Sequence, residues 1–344
     1  MIKALPICIE MEKNKVESKT AVICFTKQGE LLAEKINKFM AADIYSKNSV
    51  SNFKLNEITS SLMNNYKALI FIGSTGIAVR AIAPNLKGKD KDPAVIVIDN
   101  SCKYVISLIS GHIGGANKLT LAVAEYLGAE PIITTATDNL RIEAPDVIAV
   151  DNNLVIDDLK KAKDIAAMLV NGEKVVFLDE EEKILMPAGY VNDFSEANGV
   201  VYITNKNKLP QDYSNKKVLK LIRKNIVLGV GCRKNYDEEL MFTNVKGVLE
   251  QFNLDIRSVL EISTVEVKKE EKAIIKLTET LNVQLRIHGL EAIKQIQHKY
   301  PGSDFVEKSV GVRAVCEPCT ELSGAKLISD KISCNGMTIC IGIK

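Results

Sequence analysis

The residues best suited to chemistry lie in one short segment, residues 107–117, which reads Ser-Leu-Ile-Ser-Gly-His-Ile-Gly-Gly-Ala-Asn. Apolar alternation predicts a buried strand up to Ile109, and an apolar stripe at helical spacing predicts a helix over 116–127. The segment is therefore a strand-to-helix turn, in which glycines let backbone amides approach a ligand and the helix N-terminus favours negative charge. His112 is the one side chain of this turn that titrates near neutral pH, and Ser110 precedes it by two residues. We expect an anion-binding turn that supplies a base.

The same turn also has an explanation without function. Glycines adopt the backbone conformations that tight turns need, and a histidine can cap such a turn. Under the functional interpretation, the turn residues expected to contact a ligand are Gly111, Gly114, Gly115 and Asn117.

A second strand end, residues 73–80, combines two glycines, two hydroxyls and an arginine. It lacks the Gly-Lys-Ser/Thr of a Walker loop and the third glycine of a dinucleotide fingerprint, so it predicts only an anion cradle. An arginine can bind a carboxylate through two hydrogen bonds, although one placed here is often a surface ion pair. The binding candidates here are Gly73, Ser74, Gly76 and Arg80, with Lys89 from a charged loop that otherwise reads as a solvated turn.

A third strand end, residues 131–138, again terminates in hydroxyls and a carboxylate. Its candidates are Thr134, Thr135, Thr137 and Asp138, for which helix capping is the alternative. Ligands of open α/β sheets bind outside the carboxyl ends of strands, so we expect the three strand ends to face one crevice. A Ser-His-Asp hydrolase is weakly indicated, because Ser110 is not in a Gly-x-Ser-x-Gly elbow and no acid partner for His112 can be assigned.

The C-terminal part repeats this pattern of strand ends that carry polar groups, in residues 229–233, 263–270 and 311–317. Its binding candidates are Arg233, Lys268 and Glu317. Cys316 and Cys319 form a lone Cys-x-x-Cys in a predicted helix, without the second pair of a structural zinc site. We expect no metal site in the protein.

Length and composition describe a globular protein of several domains. The 344 residues are 46% hydrophobic and 26% charged, with a net charge of +2, which argues against a general nucleic-acid binder. No apolar run reaches the roughly 20 residues of a membrane helix, and the first residues lack a signal peptide's apolar stretch. Eight cysteines, such as Cys8 and Cys340, are scattered through apolar segments, as reduced thiols are. We expect a cytoplasmic protein without disulfides or membrane contact, and the sequence leaves its oligomeric state open.

Strands and helices alternate over residues 20–140, which predicts a doubly wound α/β unit. We predict an N-terminal α/β domain with the main motifs at 1–140, a small middle domain at 141–222, and a separate C-terminal α/β domain at 223–344. The densest basic cluster, residues 216–224, is expected to be a solvated linker.

Several of these segments, in this order, resemble the CbiG family of cobalamin biosynthesis, the cobalt-precorrin-5A hydrolases. The segments that carry the resemblance are Gly-Ser-Thr-Gly-Ile-Ala-Val-Arg-Ala-Ile-Ala-Pro at 73–84, then 89–95, 106–117 and 133–138. Residues 229–233, 263–270 and 312–317 resemble the family's C-terminal domain. The resemblance spans nearly the whole chain and is least specific in the middle.

The resemblance implies an enzyme that opens the ring A acetate δ-lactone of cobalt-precorrin-5A and releases C20 with its methyl group as acetaldehyde. The product would be cobalt-precorrin-5B, in the anaerobic route. Cobalt would arrive within the substrate, so no cofactor of the protein's own is implied, and neighbouring pathway methyltransferases are implied as partners. A corrinoid precursor rich in carboxylates also suits glycine turns with Arg and Lys clamps, Lys118 among them.

Within this chemistry we expect His112 to act as general base toward water or the C20 hydroxyl, while amides of residues 111–115 stabilise an oxyanion. Ser110, Thr135 and Asp138 would orient water or substrate. Two alternatives fit the same residues: a non-catalytic tetrapyrrole-binding or channelling protein of the pathway, and a nucleotide-sugar or phosphate-binding α/β enzyme.

Overall fold

The computed structural model describes residues 20–88, 90–140, 142–209, 213 and 215–344. The chain divides into two compact units, Met1–Asn139 and Leu140–Lys344. In the described residues no helix has both the length and the apolar character needed to cross a membrane.

The first unit alternates strands and helices along the chain. Its elements are β1 (Thr20–Cys24), α1 (Lys27–Phe39), β2 (Ala42–Tyr45), α2 (Leu55–Asn65), β3 (Ala68–Ile72), α3 (Thr75–Ile82), a 3-10 turn (Ala83–Asn85), β4 (Ala94–Ile98), β5 (Tyr104–Ile109), α4 (Ala116–Leu127), β6 (Glu130–Ile132) and α5 (Ala136–Asn139). The strands form one sheet in the order β2-β1-β3-β4-β5-β6.

Helices cover both faces of this sheet. Alternate strand residues pack on α1 and α4 on one face, as Ile70 does, and on α2 and α3 on the other, as Phe71 does. Every residue of β1 and β4 is buried, which is typical of strands covered on both sides. The doubly wound arrangement predicted for this part is confirmed.

The direction of β5 corrects the predicted position of the strand ends. β1 to β4 are parallel, but β5 runs antiparallel to β4, with Ile98 opposite Val105, and β6 follows the direction of β5. Ser110 and Thr134 therefore lie at one edge of the sheet, and Gly73 lies at the opposite edge. The expectation of one crevice shared by all three strand ends is wrong. The physical reason is the five-residue connection between β4 and β5, which is long enough for a hairpin and too short for a parallel crossover.

The second unit contains two sheets. The first is built from α6 (Pro145–Asp151), β7 (Leu154–Ile156), α7 (Leu159–Val170), β8 (Val175–Asp179), β9 (Gly199–Thr204) and β10 (Lys217–Arg223), with strand order β7-β10-β9-β8. The linker expected at 216–224 is wrong, because β10 is an inner strand of this sheet. Its lysines are interspersed with the buried Leu219 and Leu221, and the basic residues obscured this strand pattern.

The second sheet of this unit follows directly. Its elements are β11 (Ile226–Cys232), α8 (Glu238–Gln251), β12 (Val259–Val265), α9 (Lys272–Leu281), β13 (Gln284–His288), α10 (Leu290–Ile296), α11 (Asp304–Val310), α12 (Cys316–Leu322), β14 (Lys326–Leu327), β15 (Ile332–Cys334) and β16 (Met337–Ile343), with 3-10 turns at Ile256–Ser258, Glu266–Lys268 and Gln297–Lys299. The strand order is β13-β12-β11-β16-β14, and β15 pairs with β16. β11, β12 and β13 are parallel.

Helices also cover both faces of the second sheet. α8 and α9 pack on one face, and α12 approaches the other so closely that a Cβ at Gly229 would lie 2.0 Å from the Cys316 carbonyl oxygen. A mixed α/β protein with a small middle sheet and a separate C-terminal sheet is thus confirmed as the fold class. The domain boundaries at 140/141 and 222/223 remain predictions.

Ion pairs join the two sheets of the second unit. Lys220 of β10 pairs with Asp255 at 2.8 Å, and Arg257 bridges Asp255 at 2.8 Å and Asp157 at 2.6 Å. Lys220 and Asp255 are both buried, and burial without a partner would be costly for either charge.

Candidate active site

The turn after β5 is held by its own backbone. Ser110 adopts a left-handed conformation with φ 58°, which is strained for a residue other than glycine. The Gly115 amide donates to the His112 carbonyl at 3.0 Å, and the amides of Ala116 and Asn117 donate to the carbonyls of Ser110 and Gly111 at 3.1 and 3.0 Å. These three amides already have acceptors within the turn. The oxyanion contacts expected from the amides of residues 111–115 are therefore limited to those of residues 111–114.

Two glycines of this turn are required by packing, and the third by its backbone conformation. A Cβ at Gly114 would lie 2.4 Å from Ser110 Cβ, and one at Gly111 would lie 2.7 Å from Asn117 Oδ1. Gly115, with φ 85°, precedes the first residue of α4. The shape of the turn therefore accounts for these glycines without a ligand. It does not account for the polar side chains of the turn.

His112 meets a carboxylate that the sequence could not assign to it. Its Nε2 lies 3.1 Å from Asp138 Oδ2 and 3.4 Å from Thr137 Oγ1. The His112 side chain is 16% exposed and that of Asp138 is 40% exposed, so the pair lies at the surface of the unit with access to solvent. Thr135 also donates a hydrogen bond to Asp138.

Asn117 links the carboxylate to the strand. Its Nδ2 donates to Asp138 Oδ2 at 3.0 Å and to Thr135 Oγ1 at 3.1 Å, and its Oδ1 accepts from Ser107 Oγ at 2.7 Å. The Asn117 side chain is buried, so its polar atoms serve this network. Ser107 is the member that sequence reasoning missed, although its place at the start of the motif and its hydroxyl were visible.

Ser110 contributes an unusual hydroxyl. Its Oγ is buried and has no hydrogen-bond partner among the described residues. A strained backbone together with a buried, unpaired hydroxyl is a combination that stable turns avoid and functional sites tolerate.

The cradle at 73–80 lies at the other edge of the sheet from His112. The Gly73 amide donates to the Ile98 carbonyl at 2.8 Å. Arg80 Nη1 and Ser74 Oγ both lie close to Gly76, each 3.9 Å from the position that a Cβ on this glycine would take. These four residues form their own cluster. Thr134 lies with Thr135, on the His112 edge, and Lys89 lies outside the described residues, as does Cys8.

In the C-terminal sheet the structure brings two of the three candidates together. Arg233 and Lys268 line one large cavity, whereas Glu317 lies outside its lining. Glu317 is buried in the first turn of α12, where its Oε2 accepts a hydrogen bond from Cys316 Sγ at 3.0 Å. Burial raises the pKa of the Cys316 thiol well above its usual value and that of Cys319 to about 12, which disfavours the reactive thiolate form. Within the described ranges, no cluster of three or more His, Cys, Asp or Glu is arranged to hold a metal ion.

Comparison with known proteins covers nearly the whole chain. Residues 57–138 match a family model described as cobalamin synthesis G N-terminal, 143–221 match the cobalamin biosynthesis central region, and 226–342 match the cobalamin synthesis G C-terminus. Cobalt-precorrin-5A hydrolase of Salmonella typhimurium is 34% identical, over 94% of this chain and 97% of its own. The enzyme of that name from Priestia megaterium is 30% identical, over 89% of each chain.

Among solved structures, a cobalamin biosynthesis protein G homolog from Sulfolobus solfataricus is 22% identical, covers 95% of this chain and 97% of its own, and has a TM-score of 0.42. The three family models in sequence, and relatives at 30% identity or more over most of the chain, establish that this protein belongs to the CbiG family of cobalamin synthesis.

Proposed function

We propose that this protein is a hydrolase that opens the ring A δ-lactone of cobalt-precorrin-5A and releases acetaldehyde, forming cobalt-precorrin-5B. Two relatives named for this hydrolase match the chain almost end to end, and this disfavours the binding-only and phosphate-binding alternatives. The structural observation that carries the mechanism is the His112–Asp138 pair beside a glycine-rich turn.

His112 is suited to accept a proton. When its Nε2–H donates to Asp138, the neutral ring carries its lone pair on Nδ1. Nδ1 takes a proton from water, and the hydroxide forms a bond to the lactone carbonyl carbon. The ester C–O bond then breaks, which leaves the ring A acetate as a carboxylate and C20 with a hydroxyl group.

The second step breaks a carbon–carbon bond. A base removes the proton of the C20 hydroxyl, its oxygen forms the carbonyl of acetaldehyde, and the electron pair of the broken bond passes into the conjugated macrocycle, which is then protonated. Imidazole is suited to both steps because one of its ring nitrogens can accept a proton while the other donates a hydrogen bond. Overall, water is added and one acetaldehyde is lost.

The neighbours of the pair have supporting roles. Amides between Gly111 and Gly114 stabilise the oxyanion that forms on the lactone carbonyl. Asn117 acts as a positioning residue, because it donates to the Asp138 oxygen that faces His112. Ser110 orients water with its unpaired hydroxyl.

The remaining candidates are proposed to bind the substrate's carboxylates. In the first unit these are Lys89, Thr134, Thr135 and Thr137. Gly73, Ser74, Gly76 and Arg80 lie at the opposite edge of the sheet from His112, so they are not proposed to contact a substrate held at His112. Cobalt belongs to the substrate in this scheme and no further cofactor takes part. Methyltransferases that act before and after this step are the proposed neighbours.

The test is anaerobic incubation of the purified protein with enzymatically generated cobalt-precorrin-5A, while acetaldehyde and the mass of the corrinoid are followed. We expect stoichiometric acetaldehyde and a product whose mass corresponds to gain of water and loss of acetaldehyde. Tight binding of an unchanged lactone would overturn the hydrolase and favour a carrier. A nucleotide retained through purification at stoichiometric level would favour the phosphate-binding alternative instead.

A further inference from the structure

A cavity of about 1240 Å³ lies within the C-terminal part of the second unit. It is found where β11 and β12 end, since Cys232 and Val265 both line it, and the carboxyl ends of parallel strands are the usual ligand-binding edge. Its volume exceeds the roughly 300–1,000 Å³ of typical small-molecule sites. The cavity therefore has room for a ligand larger than a nucleoside.

The cavity lining is predominantly positive. It includes six basic side chains, Arg233, Lys234, Lys268, Lys272, Arg313 and Lys331, and three acidic ones, Glu238, Glu270 and Glu271. Since the whole chain is close to neutral, at +2, this excess of positive charge is a local feature. It favours a ligand that carries several negative groups.

Arg233 is the one arginine of this lining whose charge no carboxylate of the described residues compensates. Its guanidinium forms no ion pair with any described residue, and it lies 5.8 Å from the centre of the Tyr236 ring. The Arg233 amide donates to the Gly336 carbonyl at 3.0 Å, and a Cβ at Gly336 would lie 3.2 Å from Arg233 Cδ and Nε. The ring and the glycine turn thus support an arginine that faces the cavity without a carboxylate of the protein.

Lys268, another basic residue of the lining, is held in place by a carboxylate. It lies 3.7 Å from Glu271, and both side chains are largely buried. Glu271 also accepts a hydrogen bond from the Tyr236 amide at 3.1 Å. This carboxylate therefore connects the loop after β11 to the start of α9, and it holds Lys268 near the Tyr236 backbone.

The cavity also has an apolar part. Phe305 of α11 is 77% exposed and Val267 is 50% exposed, and both line the cavity. Arg313, also in the lining, pairs with Asp304 and Glu307 of α11 at 2.9 and 2.8 Å, so its charge is already compensated. Exposed apolar side chains and an uncompensated arginine in the lining of one cavity suit a ligand with an apolar body and anionic edges.

We propose that this cavity binds a flat apolar macrocycle through its peripheral carboxylates, with Arg233 pairing with one carboxylate and Phe305 packing against the ring system. The inference rests on the proposed function and adds to it a binding site within the C-terminal part of the chain. Arg233 is the principal specificity contact, because a guanidinium binds a carboxylate through two parallel hydrogen bonds.

Equilibrium binding tests this proposal. The full chain is titrated with the cobalt complex of uroporphyrin, a macrocycle with eight carboxylates, and absorbance of the macrocycle reports binding. We expect Arg233→Gln to weaken binding about tenfold, the size of one lost charge-assisted pair. Phe305→Ala should weaken it severalfold, and rising salt should weaken binding to the wild type.

Lys246→Gln is the matched control. It removes the same charge from an exposed position on α8, where Lys246 pairs with Glu250 at 4.0 Å, outside the cavity lining. Equal affinity of Arg233→Gln and Lys246→Gln would overturn the proposal. Arg233-dependent binding of ATP, with no binding of the porphyrin, would overturn it as well.

Turnover separates this inference from the proposed function. If the wild type releases acetaldehyde and Arg233→Gln binds the porphyrin as tightly as the wild type does, the hydrolase stands and the cavity assignment falls. If porphyrin binding depends on Arg233 but the wild type releases no acetaldehyde, the cavity stands and the hydrolase falls.

Discussion

Asp138 Oδ2 lies 3.1 Å from His112 Nε2, although the two residues are 26 positions apart in the chain. They meet because α4 returns the chain along the sheet and β6 then runs parallel to β5. The loops that follow β5 and β6 consequently leave the sheet at the same edge. One loop supplies the histidine and the other supplies the carboxylate.

His112→Ala should lower kcat for acetaldehyde release by about 10²–10⁴-fold, because general bases contribute factors of this size. Acetaldehyde release under anaerobic, substrate-saturating conditions measures it. His298→Ala is the control, since His298 is exposed and lies far along the chain from the turn. A correctly folded His112→Ala variant that retained full turnover would remove the proposed base.

Asn117→Ala should lower kcat by about tenfold while KM changes little, because the buried amide aligns Asp138 and does not itself bind substrate. A hydrogen bond to a charged group contributes about 1.5–3 kcal/mol, consistent with a loss of this size. Steady-state kinetics separates kcat from KM. Asn65→Ala, which removes an exposed amide that donates to the Ser61 carbonyl, should leave both unchanged. An increase in KM alone would assign Asn117 to substrate binding instead.

Gly229→Ala should destabilise the second unit by about 3 kcal/mol, because the new Cβ would overlap the Cys316 carbonyl oxygen and backbone cannot move aside cheaply. Gly247→Ala is the matched control within the same unit. Gly247 lies inside α8 with no atom within 4 Å of an added Cβ, so alanine should stabilise by about 0.5–1 kcal/mol. Urea unfolding measures both, and a neutral Gly229→Ala would refute the close packing of α12 on β11.

Acid should remove a stabilising contribution of Asp255. Burial alone raises the pKa of this carboxyl, but hydrogen bonds from Arg257 and Lys220 outweigh burial and lower the pKa to about 2. A lowered pKa means that the ionised group stabilises the folded state above the unfolded pKa of about 4, and that this contribution is lost as pH falls toward 2. The expected size is about 2 kcal/mol, measured as the free energy of unfolding against pH.

At pH 7, Asp255→Asn should cost about 3–5 kcal/mol because Lys220 stays buried without its carboxylate. Between about pH 4 and pH 2, the free energy of unfolding of this variant should also fall less than that of the wild type. Glu250→Gln, which breaks an exposed pair on α8, should change stability by less than about 1 kcal/mol. The same acid profile for Asp255→Asn and the wild type would contradict the assignment.

Much of the fold follows from short-range pattern in the sequence. The alternation of buried strands and amphipathic helices in the first 140 residues was sufficient to predict a doubly wound sheet. The turn at 107–117 was recognisable because glycines, a histidine and hydroxyls stand between a strand and a helix. The order of such segments also placed the chain in its family.

The sequence by itself therefore determined the elements, the turn and the candidate side chains. Only the tertiary structure decided the direction of β5, which separates Gly73 from Ser110, and the burial of β10, whose lysines concealed an inner strand. It also decided that Asn117 bonds to Asp138 and that Arg233 and Lys268 share a cavity. These features depend on strand pairing and on contacts between residues distant in the chain, whereas local pattern records only which face of its own element a residue prefers.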